Sequence, residues 1–402
     1  MARRAAAMLM VATVVGPVGA LIAVRRARAA ASDPAGHAAA AAARRDTDIA
    51  FYEWRAQADP IGAADRSRLA ALYLQRARET GDYGDYRRAE TVARRSLALR
   101  TAHNTRTYAL LASALLAQHR FVEALAVADT LTGRDQGSAS ARALRGEIEL
   151  ELGRYDAARA TFDSLWPARH TLAVAPRIAR WAEIVGRPDV ARRLLERAAA
   201  QAGIRTDLPR EQVAWFRWRV GDLALRAGRC DDAAYAFRAA LETYPDDYRA
   251  LAGLARLEAV QHRWRRAIEY GTEAIARMPD PATFGVISDA YAALGDTGRA
   301  GDYARAMEIA VRGQPGQWHR AWSLFLLDHG RRTDEVLAHA RAELATRRDV
   351  YGYDVLAWAL HKAGRDAEAR VPMAAALAQG TQDPQLFYHA AMIGLDRPPA
   401  RR

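Results

Sequence analysis

The sequence predicts an all-α solenoid, a superhelix of about nine antiparallel helix pairs. Three observations predict it. Small residues recur at Ala89, Ala124, Ala158, Ala191, Ala233, Ala267, Ala300, Val336 and Ala369, at intervals of 35, 34, 33, 42, 34, 33, 36 and 33 residues. Such a fixed period marks a stack of supersecondary units. Apolar residues follow helical spacing, as in Leu251, Leu254 and Leu257 before Ile268 and Ile275, and residues 46–395 show no strand-like alternation. Helix-stopping turns recur between the two helices of a unit, at Gly153-Arg, Gly186-Arg, Gly228-Arg, Gly295-Asp and Gly364-Arg, and Pro245, Pro279 and Pro384 mark unit ends. The chain has 402 residues, more than one hydrophobic core ordinarily serves, and a repetitive stack resolves that excess.

Taken in order, residues 1–28 read as a signal peptide or transmembrane anchor. Arg3 and Arg4 precede twenty uncharged residues, Ala5 to Val24, and Arg25, Arg26 and Arg28 follow. Twenty residues of helix reach about 30 Å, enough for the hydrocarbon core of a bilayer. That length favours an uncleaved anchor, while Ala27-Arg-Ala29 or Ala29-Ala-Ala31 offers a cleavage site. The long body after a short flank is expected on the extracytoplasmic side, in the cell envelope. Residues 29–45 read as an Ala-rich linker, 46–65 as an N-terminal capping helix, 66–200 as repeats one to four and 201–209 as an inserted loop that accounts for the 42-residue interval. Residues 210–380 read as repeats five to nine, and 381–402 as a closing helix with a basic tail.

The formal charge of +12 raises a nucleic-acid reading. Its distribution argues against one: residues 1–45 carry +6 and residues 396–402 carry +2, leaving +4 over the body. Of the 59 basic residues only Lys362 is Lys, a compositional bias rather than a binding stripe. Cys230 is the single cysteine, which excludes an intrachain disulfide and any zinc site needing two thiolates. No phosphate loop, HExxH or GxSxG motif is present, and no domain stands outside the repeats to house an active site. The expectation is a protein that is not an enzyme, with no cofactor, no metal, no small-molecule substrate and no nucleic-acid partner.

The repeats resemble those of tetratricopeptide-repeat proteins. Phe284, Ile287, Ser288, Tyr291, Gly295, Ala300, Ala304 and Met307 fall at that family's large and small offsets, as do Tyr353, Leu356, Ala357, Leu360, Gly364, Ala369 and Ala376. Tyr108, Leu111, Ala112, Leu115, Phe121, Ala124 and Ala128 do so again. The resemblance covers about 66–380 and implies a right-handed superhelix whose concave groove, lined by the first helix of each unit, binds a peptide or partner protein. Transferring the groove offsets gives Trp215, Trp218, Asp222, Arg226, Arg249, Arg256, Asp289, Trp322, Tyr351, Asp354, Trp358, His361 and Lys362, with His319 and, in the earlier units, Ser113, Leu116, Glu147, Arg180 and Glu183 as further members. Aromatic anchors beside cations suit an extended peptide or a partner helix. Core packing is the alternative for Trp218 and Trp322. The function implied is a non-enzymatic scaffold of the envelope, attached to the membrane through its N-terminal segment, with an accessory or assembly subunit of an envelope enzyme complex as the alternative.

Overall fold

The computed structural model describes residues 34–312 and 320–395. The 1–28 segment and the basic tail from 396 onward lie outside the described residues, as does His319. Among the described residues twenty α-helices follow one another, and no strand occurs. They are α1 (Pro34–Ala58), α2 (Ala63–Thr80), α3 (Tyr83–Leu99), α4 (Thr105–Ala117), α5 (Phe121–Arg134), α6 (Ala139–Glu151), α7 (Tyr155–Ser164), α8 (Ala175–Ile184), α9 (Pro188–Gly203) and α10 (Arg210–Arg226). The series continues with α11 (Cys230–Thr243), α12 (Tyr248–Val260), α13 (Trp264–Arg277), α14 (Pro281–Ala293), α15 (Thr297–Arg312), α16 (Arg320–Asp328), α17 (Thr333–Glu343), α18 (Val350–Lys362), α19 (Asp366–Leu377) and α20 (Pro384–Ile393).

Helices α2 to α19 form nine hairpins, and each hairpin stacks on the next. Every recurrent small residue lies in the second helix of its hairpin, and none is more than 9% exposed. The reason is space: helix axes 8 to 10 Å apart leave no volume for a longer side chain. Each of the nine intra-hairpin turns has a residue with positive φ, seven of them glycine and the others His119 and His262. Those two histidines are why the Gly-Arg signal skips units two and six. Helices α12, α14, α18 and α20 start on Asp247, Asp280, Asp349 and Asp383, each accepting hydrogen bonds from backbone N–H groups of the first turn.

Large side chains fill the gaps that the small ones create. Phe237 of α11 is fully buried between α10 and α12, where a Cβ added at Gly221 or Gly253 would lie 2.7 or 2.6 Å from its ring. A helical glycine costs about 1 kcal/mol relative to alanine. Burying the ring returns about 2 to 3 kcal/mol, so the packing outweighs the propensity.

Three boundaries differ from the sequence expectation. The linker assigned to 29–45 is helical from Pro34 and continuous with the capping helix: Arg45 and Ile49 are buried against α2, and Ala38 is buried on the same face of the helix. The first repeat begins at Ala63 rather than 66. The inserted loop is shorter than 201–209: α9 runs to Gly203, held by Ala198 and Ala202, which pack with Ala175 and Phe216. The extra residues therefore lengthen α9 and α10 and leave a short connection at 204–209.

The superhelix closes on itself. Arg347 pairs with Glu151 at 3.1 Å, Arg348 N–H donates to the Leu152 carbonyl at 3.3 Å and Val350 N–H donates to the Tyr155 hydroxyl at 2.7 Å. Farther along, the Thr381 hydroxyl donates to the Ile184 carbonyl at 2.6 Å. These partners are 195 to 197 residues apart, so a turn takes between five and six repeats and successive turns touch along a seam. Gly153 and Gly186 lie on that seam, where an added Cβ would stand 2.2 Å from the carbonyl oxygens of Arg348 and Gly380.

Candidate functional site

The inner face of the superhelix carries a ladder of ion pairs in two runs between successive first helices, one from α6 to α12 and one from α14 to α20. Arg177 of α8 reaches Glu147 of α6 at 2.7 Å. Glu183 of α8 accepts from Arg219 and Arg226 of α10, each at 2.5 Å. Asp222 of α10 accepts from Arg219 at 2.9 Å, Arg226 at 3.1 Å and Arg256 of α12 at 3.0 Å. Arg249 of α12 pairs with Glu211 of α10 at 3.1 Å and with Asp247 at 2.9 Å. Nearer the C-terminus, Asp289 of α14 meets His329 at 3.0 Å, and Asp354 of α18 holds Arg320 of α16 at 2.8 Å and His389 of α20 at 2.7 Å.

The electrostatics follow from burial and partners. Burial alone would raise the Asp222 carboxyl, but Arg226, Arg256 and Arg219 outweigh it and hold it down to about 2. Glu183, likewise buried, is lowered by Arg219, Arg226 and Arg180. Both carboxylates stay ionised at neutral pH. Glu151 at the seam goes the other way: burial raises it, against the lowering pull of Arg180 and Arg347.

The groove residues expected from the sequence divide into three sets. Asp222, Arg226 and Arg256 are brought together as one another's partners, whereas Arg249, Asp289 and Asp354 are each held by residues outside the expected set. Asp354 is fully buried, so it cannot meet a partner protein directly. Trp322 and Trp358, each 2% exposed, are core residues and not surface anchors. Trp322 stacks on Phe325 at 5.9 Å, and Trp358 lies between His389 and His361 while its Nε1 donates to Asp328 at 2.8 Å. Their bulk sits at the hairpin crossing because a one-residue change of helical phase turns a groove position into a core one. The third set stays accessible. Trp215 and Trp218 are half-buried 6.4 Å apart, with Arg219 and Arg249 over the Trp218 ring. The Tyr351 ring lies under Arg180 and Arg320, His361 binds Asp366 at 2.7 Å, and exposed Lys362 covers Trp358 at 5.1 Å.

Arg219, Glu211, Asp328 and His389 belong to the inner network and are not singled out by the sequence reading. The Arg219, Asp222 and Arg226 spacing of three and four is a legible signal of charges sharing a helix face. His389 carries none, since its partner lies 35 residues away. Among the described residues no group of three or more His, Cys, Asp or Glu could hold a metal ion.

Nine hairpins in register, with small residues at each crossing and a polar inner face, define a helical-repeat solenoid of the tetratricopeptide type. Comparison with known proteins agrees: a tetratricopeptide-repeat profile matches residues 220–281, and a profile for subunit 3 of the anaphase-promoting complex, cyclosome, matches 82–165. Residues 220–281 thus carry tetratricopeptide repeats. Among solved structures, the APC/C hetero-tetramer Cut9-Hcn1 is similar with a TM-score of 0.50 at 13% identity, over 82% of this chain and 63% of that one. The match thus spans less than two thirds of that chain's length, and the likeness shows the fold alone. PilW, a type IV pilus biogenesis factor, matches 56% of this chain and 99% of its own at 16% identity, with a TM-score of 0.44. Yeast Tom70 matches 92% of this chain and 96% of its own at 13% identity and a TM-score of 0.36. No match is found among curated proteins.

Proposed function

We propose that this protein is a non-enzymatic scaffold that binds a peptide or partner protein on the inner face of its repeats. The observation that carries this reading is the accessible set beside the ladder. Trp215, Trp218 and Tyr351 lie beside Arg256 and Asp289, ladder charges that keep some solvent exposure and whose orientations are already set by ion pairs. Pre-oriented groups lose little entropy when a partner docks. The accessible edges of the partly buried tryptophans supply apolar contact, and Arg256 and Asp289 supply charges of both signs, which suits a polypeptide better than a polyanion.

The scaffold is proposed to act in the cell envelope, held or delivered by residues 1–28. What supports this is the run of twenty uncharged residues between arginines; none of the described helices is long and apolar enough to cross a membrane. The mature N-terminus, read by sequencing the purified protein from cell fractions, separates anchor from cleaved signal. A photo-crosslinking residue placed at 256 or 289 in intact cells is expected to capture one dominant polypeptide that the same residue at outward-facing position 371 does not. Identical adducts at all three sites, or none at the inner two, would refute the inner-face reading. Adducts of nucleic acid that vanish steeply with salt would replace it with a polyanion binder.

A further inference from the structure

Helix α1 has one buried face, with Arg45 and Ile49 on α2 and Ala38 on the same side, and an opposite face that nothing among the described residues covers. Along that outer face run Ala40, Ala43, Thr47, Phe51, Trp54 and Ala58, spaced by three or four residues and all exposed. Phe51 is 51% and Trp54 58% exposed, with ring centroids 6.0 Å apart. No carboxylate interrupts the stripe. Its distribution of size is asymmetric: small side chains occupy the N-terminal half and the two rings the C-terminal half.

That asymmetry is self-complementary in one arrangement. When two such helices cross antiparallel about a two-fold axis at Thr47, Phe51 of each meets Ala43 of the other and Trp54 meets Ala40. Large side chains then fall into the spaces that small ones leave, as an isologous interface requires. Charge agrees with shape. Arg44 and Asp48, one helical turn apart at the same edge of the stripe, face the second copy's Asp48 and Arg44. A lipid surface fits less well, because exposed Asp46, Asp48 and Glu53 flank the stripe. We infer that the outer face of α1 is a homodimer interface, in which two copies of this chain join through antiparallel α1 helices anchored by Phe51 and Trp54.

A single pair of helices about 37 Å long is a small interface, so the association is expected in the micromolar range. The test uses the full chain in mild detergent with Cys230→Ser, so that introduced cysteines are unique. Thr47→Cys is expected to form a disulfide-linked dimer on gentle oxidation, and Val371→Cys is not. In sedimentation without oxidation, Trp54→Glu should weaken dimerisation at least about tenfold. Arg44→Asp should weaken it several-fold, and adding Asp48→Arg should restore it. All these side chains are exposed, so circular dichroism should show unchanged folding. A chain that stays monomeric at about 100 µM, well above the expected dissociation constant, would overturn the inference. So would equal crosslinking at 371, or a dimer indifferent to Trp54→Glu and to the charge exchange. Protection of the thiol introduced at position 47 by lipid vesicles but not by raised protein concentration would assign the face to a membrane instead.

Discussion

An added methyl group at Gly153 and one at Gly228 meet different surroundings, although both glycines have φ of +73°. At Gly228 nothing lies within 4 Å, so Gly228→Ala should cost only the left-handed strain, about 1 kcal/mol. At Gly153 the new Cβ would collide with the Arg348 carbonyl, and relief requires the two turns to part. Gly153→Ala should therefore lower the thermal midpoint several times further than Gly228→Ala, a comparison that scanning calorimetry makes directly. Ala267, fully buried in α13, is the plainest of the crossing positions. Ala267→Glu should destabilise by about 3 kcal/mol or more through overpacking and an unpaired buried charge. Unchanged melting of that variant would contradict the assigned packing. Individual residues were legible in the sequence where size alone decides their place, as at the nine crossings. They were not legible for Trp322 and Trp358, where one residue of phase separates groove from core.

Between elements, the ion pairs do what the apolar core does within each hairpin: they tie successive first helices together from α6 to α12 and from α14 to α20. Their carboxylates give them a defined acid sensitivity. Asp222 has a folded-state value of about 2 against 3.8 unperturbed, so ionised Asp222 stabilises the fold by about 2 kcal/mol. Because the folded value is depressed, this contribution is complete above the unfolded value and is lost as pH falls from about 4 toward 2. Glu183 adds to the loss in the same direction. Asp222→Asn should remove the stabilisation at neutral pH and flatten that part of the acid-unfolding curve. Equal acid sensitivity in the variant and the parent would show that the pairing contributes nothing. Charges at spacing three and four along α10 were visible in sequence, but their partners on α8 and α12 were not, since those lie more than 30 residues away.

For the whole molecule, the seam governs shape. Contacts between turns join the third and fourth hairpins to the ninth hairpin and to the segment before α20, and the first hairpin turn at Gly81 to Met278, so the superhelix is held wound by hydrogen bonds, the Glu151–Arg347 pair, cation–ring contacts and apolar packing. Tyr155→Phe removes the hydrogen bond to Val350, and Arg347→Ala removes the pair. The double variant should keep its helix content while its radius of gyration in small-angle scattering grows, because the hairpins remain stacked as the turns separate. An unchanged scattering profile would mean that stacking alone sets the pitch. An opened seam should also speed hydrogen exchange at Arg348 and Val350 before it reaches the interior amides of α18.

What the chain determines by itself is the unit: its length, its two helices, the small residue at their crossing, and the number of copies. Those depend on contacts within one period, where neighbours in sequence are neighbours in space. What only the tertiary structure decided is how the inner surface is used, because its charges find partners one repeat away and its turns meet partners five to six repeats away. Rotation accumulates over the stack, so a small angular step per hairpin, invisible in any single repeat, sets whether that inner face stays open or is held closed along a seam.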